Sequence, residues 1–318
     1  MRTILITGSN GQLGYELIRT AGHMADGMVP LTRSDLDITN AAQVQQAFAS
    51  FNPWLVINAA AYTKVDLAES EAGLAFRVNR DGPANLAAVC AETDAALIHI
   101  STDFVFDGGK GAPYTETDPI GPVSVYGRSK AAGEAEIRQL LSHHIIIRTS
   151  WLYGVHGHNF VKTMIRLARE RDILRVVMDQ QGSPTNAADL AAAIWDAARL
   201  LKERPESLWG TYHYSGAGPA TWHGFASEII RFAREYTPLQ VRKIEGITTA
   251  EYPTPAVRPA YSMLDCGLIQ RKMGIIPRPW VESLGGVIAE ILGKPYDRFP
   301  VYPDSDPLFV NILQKHPK

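Results

Sequence analysis

The chain opens on a five-residue run with no polar face, Thr3-Ile-Leu-Ile-Thr7. Similar runs recur at Trp54–Asn58, Ala95–Ser101 and His144–Thr149, with a shorter one at Met28–Leu31. A strand with one wet face alternates apolar and polar residues, so continuous apolar runs predict strands covered on both sides. Between them the period becomes helical: Gln12–Thr20, a stretch capped by Thr39 or Asn40 and running to Phe51, Glu69–Glu92 with a break near Gly82-Pro83, and about Val125–Leu141. Strand–helix alternation of this kind predicts a parallel sheet with helices on both faces. Residues 1–150 therefore read as a Rossmann-type, doubly wound α/β unit.

Beyond Thr149 the rhythm loosens. Helical patterns occupy Asn159–Arg171, Ala187–Lys202, Trp222–Tyr236 and Trp280–Leu292, with short strand candidates at Leu174–Met178, Gly210–Tyr214 and Val241–Glu245. Pro253, Pro255 and Pro259 force the segment Tyr252–Pro259 to be a loop. Residues 151–293 are expected to form mainly a smaller, mixed α/β substrate-binding region, interleaved with the core, while parts of 151–220 complete the sheet. Residues 294–318, with Pro295, Pro300, Pro303 and Pro307, read as an irregular tail. Trp195, Phe225 and Phe232 fall on amphipathic helices and are expected in the core.

Composition narrows the function classes. Lys plus Arg is 31 against 33 Asp plus Glu, so the net charge of −2 leaves no electrostatic footprint for nucleic acid or an anionic membrane. Cys90 and Cys266 alone exclude a disulfide framework or a four-thiolate zinc site. No apolar run reaches the ~18 residues that span a bilayer, and the first residues read as a strand and a turn rather than a signal peptide, so the expected compartment is the cytoplasm. His143-His144 and His156-x-His158 lack a carboxylate or thiol at ligand spacing and read as surface or loop residues.

Three features carry chemistry. Gly8-Ser-Asn10-Gly11-Gln12-Leu13-Gly14 follows the first strand and opens a helix, where backbone can approach a pyrophosphate at the helix N-terminus. After the second strand, Arg33 stands where a cation pairs with a 2′-phosphate, which favours NADPH; a solvated surface charge is the alternative. Asp37-Ile38 could flank the adenine. Tyr126 and Lys130 share one face of the helix between strands four and five, a phenol and an ammonium suited to protonating the alkoxide of a reduced ketone. A nearby lysine cation is expected to lower the phenol toward working pH. Ser101-Thr102-Asp103 ends the fourth strand at the edge where open α/β sheets bind ligands, and a hydroxyl there can bond the substrate carbonyl.

With Asn58-Ala59-Ala60-Ala61 added, these motifs resemble the extended short-chain dehydrogenase/reductases. Asn58–Asp66, Ser101–Phe106, Arg148–Trp151, Asn159–Met164, Asp179–Thr185 and Tyr252–Pro259 are similar to the dTDP-4-dehydrorhamnose reductases within them, from about residue 2 to 292. The resemblance implies reduction of the C4 ketone of dTDP-4-dehydro-L-rhamnose by NADPH, with NADH as second choice. It implies a catalytic trio of Thr102, Tyr126 and Lys130, and a pyrophosphate turn of Gly8, Asn10, Gly11, Gln12, Leu13 and Gly14. Asp37, Ile38, Ala59, Ala60 and Ala61 match adenine and ribose contacts; Tyr126 and Lys130 also hold the nicotinamide ribose. Asp103 and Trp151 match positions beside the sugar, and Arg258 lies in the loop that closes over the diphosphate. Some members are homodimers bridged by Mg²⁺ through three glutamates. Glu16 and Glu290 match two of them, but the third position falls on Ala188, with Asp189 turned ~100° away, so no metal is assigned. Another nucleotide-sugar reductase or epimerase, or a non-catalytic NADP-binding subunit resembling methionine adenosyltransferase β, stand as alternatives.

Overall fold

The computed structural model describes residues 3–25, 27–204 and 207–296, so the expected tail lies almost wholly outside the described residues. The first half runs β1 (Thr3–Thr7), α1 (Gln12–Arg19), β2 (Met28–Leu31), α2 (Ala41–Phe51), β3 (Pro53–Asn58), α3 (Val65–Ala68), α4 (Ala72–Phe76), α5 (Gly82–Thr93), β4 (Ala96–Thr102), α6 (Val125–Leu140) and β5 (His144–Thr149). It continues with β6 (Leu152–Tyr153), α7 (Phe160–Glu170), β7 (Ile173–Val177), β8 (Gln181–Gly182), β9 (Thr185–Asn186), α8 (Ala187–Glu203) and β10 (Gly210–His213). The last elements are β11 (Ala220–Thr221), α9 (Trp222–Arg234), β12 (Lys243–Ile247), α10 (Gly267–Met273) and α11 (Trp280–Ile291).

Six strands form one sheet in the order β10-β5-β4-β3-β1-β2, and every pairing in it is parallel. This is the doubly wound α/β fold that the apolar runs predict. Because side chains alternate across a strand, adjacent apolar residues serve opposite faces. Ile6, Ile57, Ile98 and Ile147 pack with Leu17 and Trp195 on one side. Leu5, Val56, Leu97 and Ile146 pack with Phe48, Leu86 and Ile137 on the other. A separate apolar cluster joins Tyr153, Phe225, Ile229, Trp280 and Leu284 in the second half of the chain. Trp195, Phe225 and Phe232 are all buried, as their helical spacing predicts.

One boundary differs from the sequence pattern. The chain does not break at Gly82-Pro83; Pro83 sits in the first turn of α5, and a π-helical turn over Arg77–Asp81 joins α4 to it. Proline has no N–H to donate to the preceding turn, and the widened turn accommodates the lost bond. The bulge presents Asn79, whose amide bonds the Tyr62 backbone and the Ser129 hydroxyl. The helix α6 crosses there at Gly133, where a Cβ would stand 2.0 Å from the Asn79 carbonyl oxygen. Among the described residues, no helix is long and apolar enough to cross a membrane.

Candidate active site

The strand order reverses at β1, whose neighbours β2 and β3 lie on opposite sides, and ligands of open sheets bind where such strands diverge at their carboxyl ends. The glycine turn occupies that crevice. Gly8 has φ +68, and a Cβ on it would lie 2.6 Å from the Ala60 nitrogen; one on Gly14 would lie 2.2 Å from the Gly8 oxygen. Gly11 begins α1 without a side-chain cap, so the first-turn amides are left to an anion. Leu13 turns its side chain into the core, so only its backbone can line the crevice. Ala59, Ala60 and Ala61 are half-buried along the opposite wall.

Sequence reading missed a clasp over this turn. The ring of His156 stacks on Tyr15 at 4.4 Å, and its Nε2 donates to the Asn10 carbonyl at 3.1 Å. Asn159 Nδ2 donates to Gln12 Oε1, also at 3.1 Å. At the end of β2, Arg33 is largely exposed with its Nε 3.8 Å from Asp37 Oδ2. The other Asp37 oxygen accepts from the Thr39 backbone and hydroxyl. Ile38 is buried against Gly82 rather than open to the crevice.

Thr102 ends β4 and Tyr126 occupies the first turn of α6, which begins where the Ser124 hydroxyl accepts from the Gly127 amide. A Cβ on Gly127 would stand 2.2 Å from the Phe104 oxygen, so glycine lets the helix settle onto the turn after β4. The Thr102 hydroxyl faces the Tyr126 phenol and donates to Asp103 Oδ1 at 3.0 Å. Burial pushes the Asp103 carboxyl up to about 6, against bonds from Ser262 and Thr102. Its second oxygen, Oδ2, is buried with no hydrogen-bond partner among the described residues. Burial pushes the phenol of Tyr126 up to about 12, opposed by the Thr102 hydroxyl and reinforced by Asp103.

The expected lowering of Tyr126 by Lys130 is therefore corrected. In the protein alone desolvation dominates, and Lys130 turns its amine to the Ile100 carbonyl at 2.6 Å and to His99 Nε2 at 3.3 Å. Burial also pushes Lys130 down, to about 8. Behind it, Glu134 is fully buried yet held below the usual carboxylate range. Burial pushes it up, but bonds from Arg148, and further from Ser101 and Arg138, outweigh burial.

Trp151 follows β5 with φ +46, a strained backbone for a bulky residue. It is held by Gly182, where a Cβ would come within 2.6 Å of the indole, and by Trp222, whose ring stacks on it at 3.6 Å and 8°. Trp222 Nε1 in turn donates to Gln180 Oε1. Trp222 reads in the sequence only as a helix start; its partnership was not legible. Arg258 does not point a free fork at the crevice. Its Nη1 and Nη2 donate to the two oxygens of Asp66 at 3.1 and 2.9 Å, and Nη1 also bonds Thr254 and the Ala256 carbonyl. Those bonds hold the Asp66 carboxyl below its usual range.

On the outer side of α1, Glu16 is buried with Arg19 Nη2 2.7 Å away, and Arg19 Nη1 lies 3.8 Å from Glu290. Burial, opposed by Arg19 and reinforced by Glu290 and Asp189, raises the Glu16 carboxyl. Asp189, bonded to Ser283, is thus the carboxylate on this side; Ala188 is buried.

A family model described as the RmlD substrate binding domain matches residues 1–292. The chain is 44% identical to a dTDP-4-dehydrorhamnose reductase of Aggregatibacter actinomycetemcomitans, over 91% of this chain and 99% of that protein. Its fold is similar to the crystal structure of a dTDP-4-dehydrorhamnose reductase from Bacillus anthracis in complex with NADP. The TM-score is 0.84 at 40% identity, covering 91% of this chain and 100% of that one. A UDP-glucose 4-epimerase from Brucella ovis, at 18% identity and TM-score 0.76, shares the fold.

Proposed function

From the premise that the chain belongs to the RmlD family of dTDP-4-dehydrorhamnose reductases, we propose that it reduces the C4 ketone of dTDP-4-dehydro-L-rhamnose with NADPH, giving dTDP-L-rhamnose. Bound at the crevice, the reduced nicotinamide supplies the hydride. Every other task falls to side chains. Thr102 bonds the ketone oxygen, and Tyr126 gives it the proton. A phenol pushed up to about 12 stays protonated across the physiological range, the form a donor needs. Tyr126 and Lys130 hold the nicotinamide ribose, and Gly8, Gly11 and Gly14 admit the pyrophosphate to the start of α1. Arg33 reaches the 2′-phosphate; NADH is the weaker cofactor. Asp103, whose Oδ2 lacks a partner among the described residues, accepts a sugar hydroxyl beside Trp151. We assign no metal, because the Arg19 guanidinium stands between Glu16 and Glu290. The reaction is assigned to the cytoplasm.

The observation that carries this reading is the contact of the Thr102 hydroxyl with the Tyr126 phenol beside the orphan Asp103 oxygen, at the carboxyl end of β4. The test supplies NADPH and dTDP-4-dehydro-L-rhamnose and follows the absorbance of reduced nicotinamide alongside the product's C4 configuration by NMR. One NADPH consumed per dTDP-L-rhamnose formed is expected. Interconversion without net oxidation would make it an epimerase, and NADPH binding without turnover a regulatory subunit.

A further inference from the structure

Beneath the nicotinamide side of the crevice runs a line of buried polar groups outside the catalytic trio. The Ala60 backbone amide donates to Asn58 Oδ1 at 3.2 Å, and the Thr7 hydroxyl bonds the same oxygen at 2.7 Å. Asn58 Nδ2 lies 2.9 Å from His99 Nδ1, and His99 Nε2 lies 3.3 Å from Lys130 Nζ. Asn58 and His99 are fully buried, and Lys130 nearly so.

The direction of this line is set at one end. A backbone N–H can only donate, so the Asn58 atom facing Ala60 must be its oxygen. Its NH₂ group then faces His99 and requires a lone pair on Nδ1. Neutral imidazole with a bare Nδ1 carries its proton on Nε2. That proton points at Lys130, which must offer a lone pair to receive it. An ammonium has none.

We infer that His99 is a positioning residue whose Nε2–H, fixed through Asn58 by the Ala60 amide, favours the uncharged amine of Lys130. The groups facing this pair include the Ile100 carbonyl and Glu134 on Lys130, with Tyr126 one turn before it on α6, and His144 beside His99. Glu134 pulls toward the charged form, but its oxygens are taken by Ser101, Arg138 and Arg148. Burial keeps His99 itself well below its usual value, so it stays neutral and its proton stays placed. With Lys130 near 8, a small bias decides its charge at working pH.

The inference rests on the cofactor reading above, but its first test does not. In protein labelled with ¹⁵N-histidine, long-range ring correlations assigned by their loss in His99→Gln should show a protonated Nε2 and a bare Nδ1. The reverse tautomer overturns the proposal, whatever the protein reduces. Asn58→Asp places an acceptor on both sides, demands an Nδ1–H and should reverse the tautomer. The second readout is the affinity for NADPH against pH, which should weaken as Lys130 loses its charge, with a limb absent in Lys130→Met. In Asn58→Asp, where the bare Nε2 of His99 can accept from the ammonium, and in His99→Gln, where the side-chain oxygen can, that limb should move up by about one pH unit, a tenfold change at fixed pH. A limb that stays in place while affinity or turnover merely falls would make His99 a packing residue only.

Discussion

Beneath β4 and β5 the protein buries Lys130, Glu134, Arg148, Asp103 and His99, whereas the cluster around Phe225 in the other half buries aromatic and aliphatic side chains. The polar interior is tied together by bonds of known direction: Arg148 grips both oxygens of Glu134, and Lys130 reaches the Ile100 carbonyl. The apolar interior is held mainly by contact, with Phe225 ringed by Tyr153, Phe160 and Trp280 at centroid distances of 5.4 to 5.5 Å and a single bond from the Tyr153 hydroxyl to the Trp280 carbonyl among these rings. The first arrangement places titratable groups at the cost of desolvation; the second supplies cohesion and a rigid shelf for Trp151 and Trp222. Chemistry and stability are thereby divided between the two halves, and substitutions should separate them.

The largest effect is expected at Tyr126. Tyr126→Phe removes the proton donor while leaving ring packing intact, so turnover should fall by roughly 10²–10⁴. NADPH affinity should fall only a few-fold, the worth of one ribose hydrogen bond, and the melting temperature should hardly move. Turnover within about threefold of the wild type would remove Tyr126 from that role and erase the division just drawn.

Next in size is the apolar half. Phe225→Ala should cost about 3–5 kcal/mol in urea unfolding, the usual penalty of truncating a buried phenylalanine. Turnover per folded molecule is expected to stay near that of the wild type. A loss below about 1 kcal/mol would show that the second cluster contributes little cohesion.

These two sites were not equally legible in the sequence. The sheet announces itself because strands covered on both faces cannot hide their apolar runs, and its register places Thr102 and Tyr126 at the ligand edge. The cap of α2, read as Thr39 or Asn40 and found at Asn40, and α6 to within a residue, were readable for the same local reasons. His99 was not: it sits among Ile98 and Ile100 as one more strand residue, and its partners lie 41 and 31 positions away. The strands β6, β8, β9 and β11 span two residues each, too short to carry a period. Arg258 was singled out, but its partner Asp66, 192 residues distant, has no local signature.

Asp103 tests the cost of polar burial. Its folded value, about 6, lies above the ordinary carboxylate value near 4. Proton binding therefore favours the fold, and the stability present at low pH is lost as pH rises through about 6. Between pH 5 and pH 8 the wild type should lose roughly 1–2 kcal/mol more than Asp103→Asn, read from unfolding curves at both values. Parallel losses would show that the Asp103 carboxylate is solvated in the folded protein.

The smallest effect concerns one of the contacts that join the halves. The Arg258–Asp66 pair is partly exposed, and such pairs contribute about 0–1 kcal/mol. A double-mutant cycle of Arg258→Ala and Asp66→Ala in the unliganded protein should therefore give a coupling below about 1 kcal/mol. Binding of dTDP then separates two roles. If Arg258 leaves Asp66 for the diphosphate, the two partners compete for one guanidinium. Asp66→Ala should then tighten dTDP by a few-fold, because the fork is released, and Arg258→Ala should weaken it by about 1 kcal/mol, roughly fivefold. Opposite signs are the signature of competition. If both substitutions weaken dTDP alike, the pair is a strut between the halves, and the diphosphate is held by other groups. Calorimetric titration of dTDP into the four proteins of the cycle decides between them. The comparison is free of turnover, so it stands whichever sugar the crevice prefers.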